Sequence, residues 1–453
     1  MQTARVRAVW RRVLGLSWPI MAEQTLRTLM RTTDVIVTAT FSPAAVAAIG
    51  LADLYARLPL RIGLGLGGGA IALSSQDTGR GAAADRDEAI TQALFVGVLA
   101  GLPFVAFGLF LGEAAIAVLG APPAVARMGG TYLAIILLTA PARHVALIGA
   151  RSLQGTGDTR TPMYVNVVSN ALNIAGSVVL GLGLLGAPRL GIVGVGLATA
   201  VGNVVTASAL LVALAGRWTE AALVRPTNPV IARQLLSVSA PRVGEGLVAT
   251  VAAFPFNSLL LSFGTPVNAG YQIGRRMYQQ VTGPLSRGYN VAASVVVGQA
   301  LGDEAPDRAR FEGWATAALG LLTVGTVGLA LFVWADAFVH LFTDDSQIVG
   351  PAVGFARAYG VSAPFLVLFV VLSGALQGGS DTRTPFVART TGLFGFMLGF
   401  SALTGLALGW GAHGAYAGIV LFHVWAALVV GYGFRRGDWV EKATAMMDER
   451  AAA

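Results

Sequence analysis

Long apolar runs dominate the chain, separated by short polar segments in which Gly, Pro, Asp and Arg recur. The runs fall at approximately 13–39, 44–76, 90–118, 124–152, 160–185 and 190–215; after the polar stretch GRWTEAALVRPTNP they resume at 232–262, 267–300, 308–333, 348–377, 384–409 and 412–434. Each meets or exceeds the roughly 20 residues with which a helix crosses a bilayer. Such runs are too long for barrel strands, and lipid leaves no partner for unpaired backbone groups, so helices are the spanning element. The pattern predicts an all-α integral membrane protein with twelve transmembrane helices in two six-helix bundles. The expected organisation is an N-terminal bundle over 1–216, a linker over 217–231, a C-terminal bundle over 232–435 and a tail over 436–453.

Composition agrees with this reading. Of the 453 residues 55% are hydrophobic and only 12% charged, against about 25% charged in a typical soluble domain. The net charge of +8 does not point to nucleic acid, because the arginines are scattered between apolar runs. They follow the positive-inside rule instead. Arg5, Arg7, Arg11 and Arg12 precede the first run, Arg80 and Arg86 follow the second, Arg160 follows the fourth, and Arg217 and Arg225 sit in the linker. Arg308 and Arg310, Arg383, and then Arg435, Arg436 and Lys442 take the corresponding places in the second half. The alternate connections TFSPAA, FGTPVNA and LGWGAHGA lack Arg and Lys. A plasma-membrane protein with both termini, the linker and the tail in the cytoplasm is expected. There is no cysteine, which removes disulfides and thiolate metal sites.

The two halves repeat. LQGTGDTRTPM begins at Leu153 and LQGGSDTRTPF at Leu376, 223 residues later. Gln76 and Gln299 share that spacing, and Glu23 and Glu245 each lie four residues after a proline, Pro19 and Pro241. Halves with an even number of helices insert the same way up, related by a pseudo-two-fold axis along the membrane normal, with a binding cavity expected between them. The repeated phrase reads as a turn in which Asp158 and Asp381 cap the following helix and Pro162 and Pro385 occupy its first turn.

Charges inside the apolar runs carry the chemistry. Glu23, Arg27, Arg31 and Asp34 are spaced to share one helical face within about 80°. Facing lipid, four ions would cost about 10–14 kcal/mol, comparable to a domain's whole stability. The stripe must therefore meet water or partners. Asp53, Arg57 and Arg61 repeat the device on the second helix, and Glu23–Arg27, Arg31–Asp34 and Asp53–Arg57 pairs are compatible with the spacing. Arg143, Arg242, Arg275, Arg276 and Arg357 add to the positive side. The candidate substrate-cavity residues are Glu23, Arg27, Arg31, Asp53, Arg57, Glu245 and Arg275, with Tyr278 and Gln279 as supplementary polar contacts. Their positive balance points to anionic or zwitterionic solutes held by forked guanidinium contacts.

Other chemistry lacks support. GLGLGG at Gly63 and GLGLLG at Gly181 fit a dinucleotide pattern, but neither follows a strand. Their small residues suit close helix packing. His144, His340, His413 and His423 lack metal-ligand spacing, and no nucleophile motif accompanies them. Neither an enzyme nor a cofactor is expected.

The phrases LRTLMRTTDVIVTATFSPAAVAAIGLA after Pro19, ALNIAGSVVLGLGLLG, LGIVGVGLATAVGN, GQALG and the duplicated LQG–DTRTP turn, in this order and spacing, resemble the multidrug and toxic compound extrusion (MATE) family. The resemblance implies efflux of organic solutes by antiport with H+ or Na+ and assigns the coupling ion to Asp34. Asn173 and Thr199 match polar partners of that acid, whereas Ser177 stands where archaeal-type members place a second carboxylate. Another subfamily's acid falls near Leu366. These departures favour H+ through Asp34, with Na+ at Asp34 as the alternative and the one metal the resemblance allows. A flippase for lipid-linked pyrophosphate precursors is the alternative within the superfamily. The expected partners are a small organic solute and the lipid bilayer, without nucleic acid or an obligate protein partner, in a monomer.

Overall fold

The computed structural model describes residues 2–216 and 218–453, so Arg217 of the expected linker lies outside the described residues. Among those described, the regular elements are all helical. They are α1 (Gln2–Ala39), α2 (Pro43–Gly79), α3 (Ala83–Val118), α4 (Pro123–Leu138), α5 (Ala140–Thr156), α6 (Arg160–Leu182) and α7 (Ile192–Ala215) in the first half. The second half has α8 (Pro229–Ser262), α9 (Thr265–Gly302), α10 (Pro306–Val333), a short α11 (Ala335–Val339), α12 (Ser346–Gly378), α13 (Arg383–Thr391), α14 (Ala412–Arg436) and α15 (Asp438–Ala451). The chain continues from α13 through π-helical turns at Gly392–Phe400 and Leu403–Ala407.

Nine of these elements, counting Arg383–Ala407 as one, are long and apolar enough to cross a membrane. α4 and α5 form a tenth span, bent by 48°, where Thr139 ends one helix and Pro141 lies in the first turn of the next. α1 and α9 are each 38 residues long and fall short of that apolar threshold through their polar and charged residues. The twelve expected spans are accounted for, with the fourth broken in two. This is an all-α, multi-pass membrane protein.

The chain divides into two compact units. One comprises Ala22–Ser74 and Ala82–Ser239; the other comprises the chain up to Met21, Ser75–Gly81 and Ala240–Ala452. Thus the start of α1 and the last turn of α2 are built into the C-terminal unit. In the N-terminal unit, Ile116, Leu133, Ile136, Leu137 and Val195 form an apolar core. The linker is fastened to α3, where the Glu88 carboxylate accepts from the Thr227 amide at 2.5 Å and its hydroxyl at 2.9 Å, and also from the Asn228 amide.

The C-terminal unit gathers its polar ends around the start of α1 and the end of α2. Trp10 Nε1 donates to the Ala315 carbonyl at 2.9 Å, and Arg12 reaches Gln299 Oε1 at 2.6 Å and Glu312 at 3.3 Å. Gln76 Nε2 donates to the Gly378 carbonyl at 2.8 Å and the Ser380 hydroxyl at 2.9 Å. The end of α2 thereby holds the second copy of the repeated turn. Gly79 and Gly302 make close approaches that a side chain would block. A Cβ at Gly79 would stand 2.2 Å from the Gln299 carbonyl oxygen, and one at Gly302 would stand 2.1 Å from that of Gln76. The duplicated Gln and Gly positions thus touch one another reciprocally.

The two turns share one hydrogen-bond pattern. The Gly157 and Asp158 amides donate to Gln154 and Leu153, and the Ser380 and Asp381 amides donate to Gln377 and Leu376, which is the Schellman arrangement at a helix end. Asp158 then caps α6 by accepting from the Thr161 amide at 2.9 Å, and Asp381 caps α13 from the Thr384 amide at 3.2 Å. Gly157 has φ +98°, whereas Ser380 adopts φ +61° in the left-handed region that disfavours side chains.

The expected tail is mostly helix. α15 buries Trp439, Ala443, Met447 and Arg450 on one face, and Trp439 stacks on Phe434 with ring centroids 4.8 Å apart. The Arg450 guanidinium, fully buried, pairs with fully buried Asp77 at 2.9 Å and donates to Gln76 Oε1 at 3.1 Å. Arg80 joins them, 3.0 Å from Asp77 and 2.8 Å from the Met447 carbonyl. Removing one partner of a buried ion pair strands the other in a medium that cannot solvate it. Arg450→Met is expected to destabilise the protein by about 3 kcal/mol, the low end of the usual 3–5 kcal/mol range because Arg80 remains beside Asp77. Thermal unfolding in detergent checks this, with an exposed variant such as Arg383→Met expected to melt near the unaltered chain.

Candidate functional site

Among the described residues, one polar grouping inside the spans of each unit brings together residues expected from the sequence. In the N-terminal unit, α1 supplies the charged stripe. Its upper part is paired internally: Arg27 lies 3.1 Å from buried Glu23 and 3.5 Å from Asn166 Oδ1 on α6. The lower part differs from the pairs that spacing allows. Among the described residues Asp34 forms no ion pair with Arg31, and Asp53 forms none with Arg57.

Asp34 is met by α6. Ser177 Oγ donates to its carboxylate at 2.7 Å, and the same hydroxyl lies 3.4 Å from Asn173 Oδ1. Ser177 and Asn173 are buried, one turn apart on a single face of α6. Asp34 is half-buried, and Thr38 Oγ1 donates to its backbone carbonyl at 2.6 Å. Three oxygens from Asp34, Asn173 and Ser177 are thus grouped, a donor set suited to a proton or a hard cation. The Thr199 hydroxyl donates to the Val195 carbonyl of its own helix at 3.1 Å. Asp53, Arg31 and Arg57 are exposed on the unit, and Asp53 acts electrostatically on both Arg31 and Asp34.

In the C-terminal unit a pocket of about 250 Å3 is formed by α8, α9, α12 and α13. Buried Glu245 lies on its wall with Arg242, one turn earlier on α8, at 2.5 Å, and Arg389 of α13 at 2.7 Å. Of the residues expected from the sequence, Glu245, Tyr278 and Gln279 line this pocket. Arg275 lies outside its lining, its guanidinium 6.0 Å from the Tyr271 ring centroid. Arg287, Arg389, Ser286 and Ser373 also line the pocket and were not among the sequence candidates. Arg389 could have been found from the rule that an ion within a span requires an opposite partner, because the run 384–409 that contains it has no acidic residue.

A hydroxyl-held carboxylate in one unit and an ion-paired pocket in the other place groups within the spans that can meet a polar solute or an ion. The MatE family model matches the chain twice, over residues 19–179 and 241–403. The chain therefore belongs to the MatE family, whose members are membrane transporters rather than enzymes. The probable multidrug resistance protein NorM of Rhodopseudomonas palustris is 29% identical over 92% of this chain and 90% of its own length. Its counterpart from Bradyrhizobium diazoefficiens is 30% identical over 92% and 91%. Among solved structures, a MATE protein in the bent conformation superposes with TM-score 0.88 at 20% identity, covering 98% of this chain and 97% of that one. A MOP superfamily transporter from Pyrococcus furiosus, described as having a binding pocket of reverse polarity, superposes with TM-score 0.85 at 19% identity over 96% of each chain. At these identities the structural likeness speaks to the fold.

Glu245 is shared between two arginines, which gives a thermodynamic signature. Arg242→Gln or Arg389→Gln leaves the carboxylate one guanidinium; the double variant leaves it none. The double variant is expected to lose more stability than the sum of the singles, by about 0.5–3 kcal/mol, the coupling usual for residues in one network. A double-mutant cycle on thermal unfolding measures it.

Proposed function

We propose that this transporter exports organic solutes from the cytoplasm in exchange for H+ or Na+, by alternating access, with Asp34 as the coupling carboxylate. The observation that carries this reading is the surroundings of Asp34. It lies within a spanning helix, is met by a neutral hydroxyl rather than a bound arginine, and has the Asn173 oxygen nearby. A carboxylate compensated in this way can take a cation from one side of the membrane and release it to the other. Gain or loss of that positive charge changes the charge of the α1–α6 face and biases one access state over the other by its differential interaction with each. Glu23 and Glu245 fit this role less well, because each already holds an arginine. A proton is the favoured ion, since the grouping contains a single carboxylate.

The names of the NorM relatives support drug-like cargo. The excess of arginine over acid among the charged residues in the spans supports anionic or zwitterionic cargo. The arginine-bearing connections support a plasma-membrane location with cytoplasmic termini, and nothing in the reading requires more than a monomer.

Proteoliposomes with imposed pH or Na+ gradients and a panel of organic anions, zwitterions and cations test the proposal. Asp34→Asn is expected to cut gradient-driven transport at least about tenfold, equivalent to about 1.4 kcal/mol or more, while the protein still folds. Ser177→Ala is expected to give a smaller loss. Undiminished gradient-driven transport by Asp34→Asn sinks the assignment.

A further inference from the structure

His144 of α5 is fully buried, and both nitrogens of its ring point at backbone carbonyls. Nδ1 lies 2.8 Å from the Gly97 oxygen of α3, and Nε2 lies 2.8 Å from the Pro59 oxygen of α2. A carbonyl oxygen only accepts, and a neutral imidazole has a single N–H and one bare nitrogen. The neutral ring can bond one of these carbonyls but sets a lone pair against the other. The imidazolium, with two N–H groups, donates to both. Among the described residues no group of three His, Asp or Glu could hold a metal ion, so the ligand that this geometry fits is a proton.

Two neighbouring helices close on the ring. A Cβ on Gly63 of α2 would stand 2.8 Å from His144 Cδ2, and one on Gly97 of α3 would stand 2.3 Å from Ile148 Cδ1, one turn further along α5. The GLGLGG run thus begins with the glycine that lets α2 reach the imidazole. The Phe104 ring meets it edge-on, with ring centroids 6.5 Å apart. No carboxylate occurs in residues 54–76 of α2, in residues 90–112 of α3, or anywhere in α4, α5, α6 or α7. The charges nearest these contacts in sequence are Arg57 and Arg61 on α2 and Arg143 on α5, the last acting electrostatically on His144. Burial and these cations oppose a charged ring, so the two aligned carbonyl dipoles must hold its proton. Displacing either carbonyl tips the balance toward the neutral ring.

We propose that His144 is a second proton-binding site, separate from Asp34, and that its proton fastens α2 and α3 to α5. Loss of the proton turns one of the two hydrogen bonds into a contact between lone pairs and drives that carbonyl from the ring. The site lies where such movement is least costly. Pro59 within α2 withholds a hydrogen bond from its own helix, and His144 sits about one turn beyond the break between α4 and α5. A ring sealed from solvent exchanges its proton only when one of these helices parts from it, so protonation and helix packing are linked. This goes beyond the coupling role of Asp34 and does not depend on it.

Nitrogen NMR on the full chain, labelled at its histidine rings and held in lipid nanodiscs, tests the site between about pH 5 and 8, where histidine changes charge. The signals of His144 are those missing from the His144→Phe chain; should that chain not fold, replacing His340, His413 and His423 by Gln leaves His144 alone in the spectrum. At the acid end both ring nitrogens of His144 are expected to carry hydrogen. In Gly63→Ala, where the added methyl presses α2 away from the ring, the proton is expected to bind at least about tenfold more weakly, as for a lost hydrogen bond to a charged group. A bare ring nitrogen on His144 over the whole range overturns the proposal, and so does a proton affinity that Gly63→Ala leaves unchanged. Both results are read without transport, so they stand apart from success or failure of the exporter reading.

Discussion

An ionised side chain cannot be left facing hydrocarbon, and the polar architecture of this transporter follows from how each one is compensated. Lipid offers no competing hydrogen bonds, so a charge within a span must be met by an opposite charge, by oriented dipoles or by water. Three kinds of answer are present. Arg450 and Asp77 answer each other where both are fully buried. Glu245 is answered twice, by arginines from two helices. Asp34 is answered by a serine hydroxyl, which neutralises nothing; the proposed coupling role rests on this. The first arrangement holds structure, the second fixes two arginines beside a pocket, and the third suits a group that gains and loses an ion.

The duplicated sequence has a direct structural meaning in the C-terminal unit. Gln76 grips the second copy of the repeated turn through Gly378 and Ser380, while Gln299 receives Arg12 from the start of α1. Gly79 and Gly302 let the ends of α2 and α9 pass at backbone contact. Equivalent residues of the repeat are thus neighbours in space. A substitution in one copy would press on the backbone of the other.

Much of the fold was legible because bilayer thickness imposes a length on every apolar run and because Gly, Asp and Pro mark the connections. The caps at Asp158 and Asp381 and the Glu23–Arg27 pair followed from local spacing. What spacing could not give was contact across long stretches of chain. It allowed Arg31–Asp34, but α6 brings Ser177 to Asp34 from a position 143 residues away. It gave Glu245 a neighbour at Arg242, but not Arg389 from α13. Thr199, matched by resemblance to the coupling group, donates to a carbonyl of its own helix. The residues after 436 read as a polar tail because only one helical face is apolar; Trp439 and Met447 show their role only when α15 is seen against the unit.

The π-helical turns after Thr391 carry a geometric consequence. Each closes its hydrogen bonds one residue later than an α turn does, so the segment holds one more residue than the α register would accommodate. Rewinding a single such turn to α geometry would rotate all that follows by about 100° and shift it by about 1.5 Å along the axis. Ser401 and Thr404, now lying where a side chain on Gly418 or Gly414 of α14 would collide, would be carried to another face of the helix. The winding of this one stretch sets which of its side chains α14 meets.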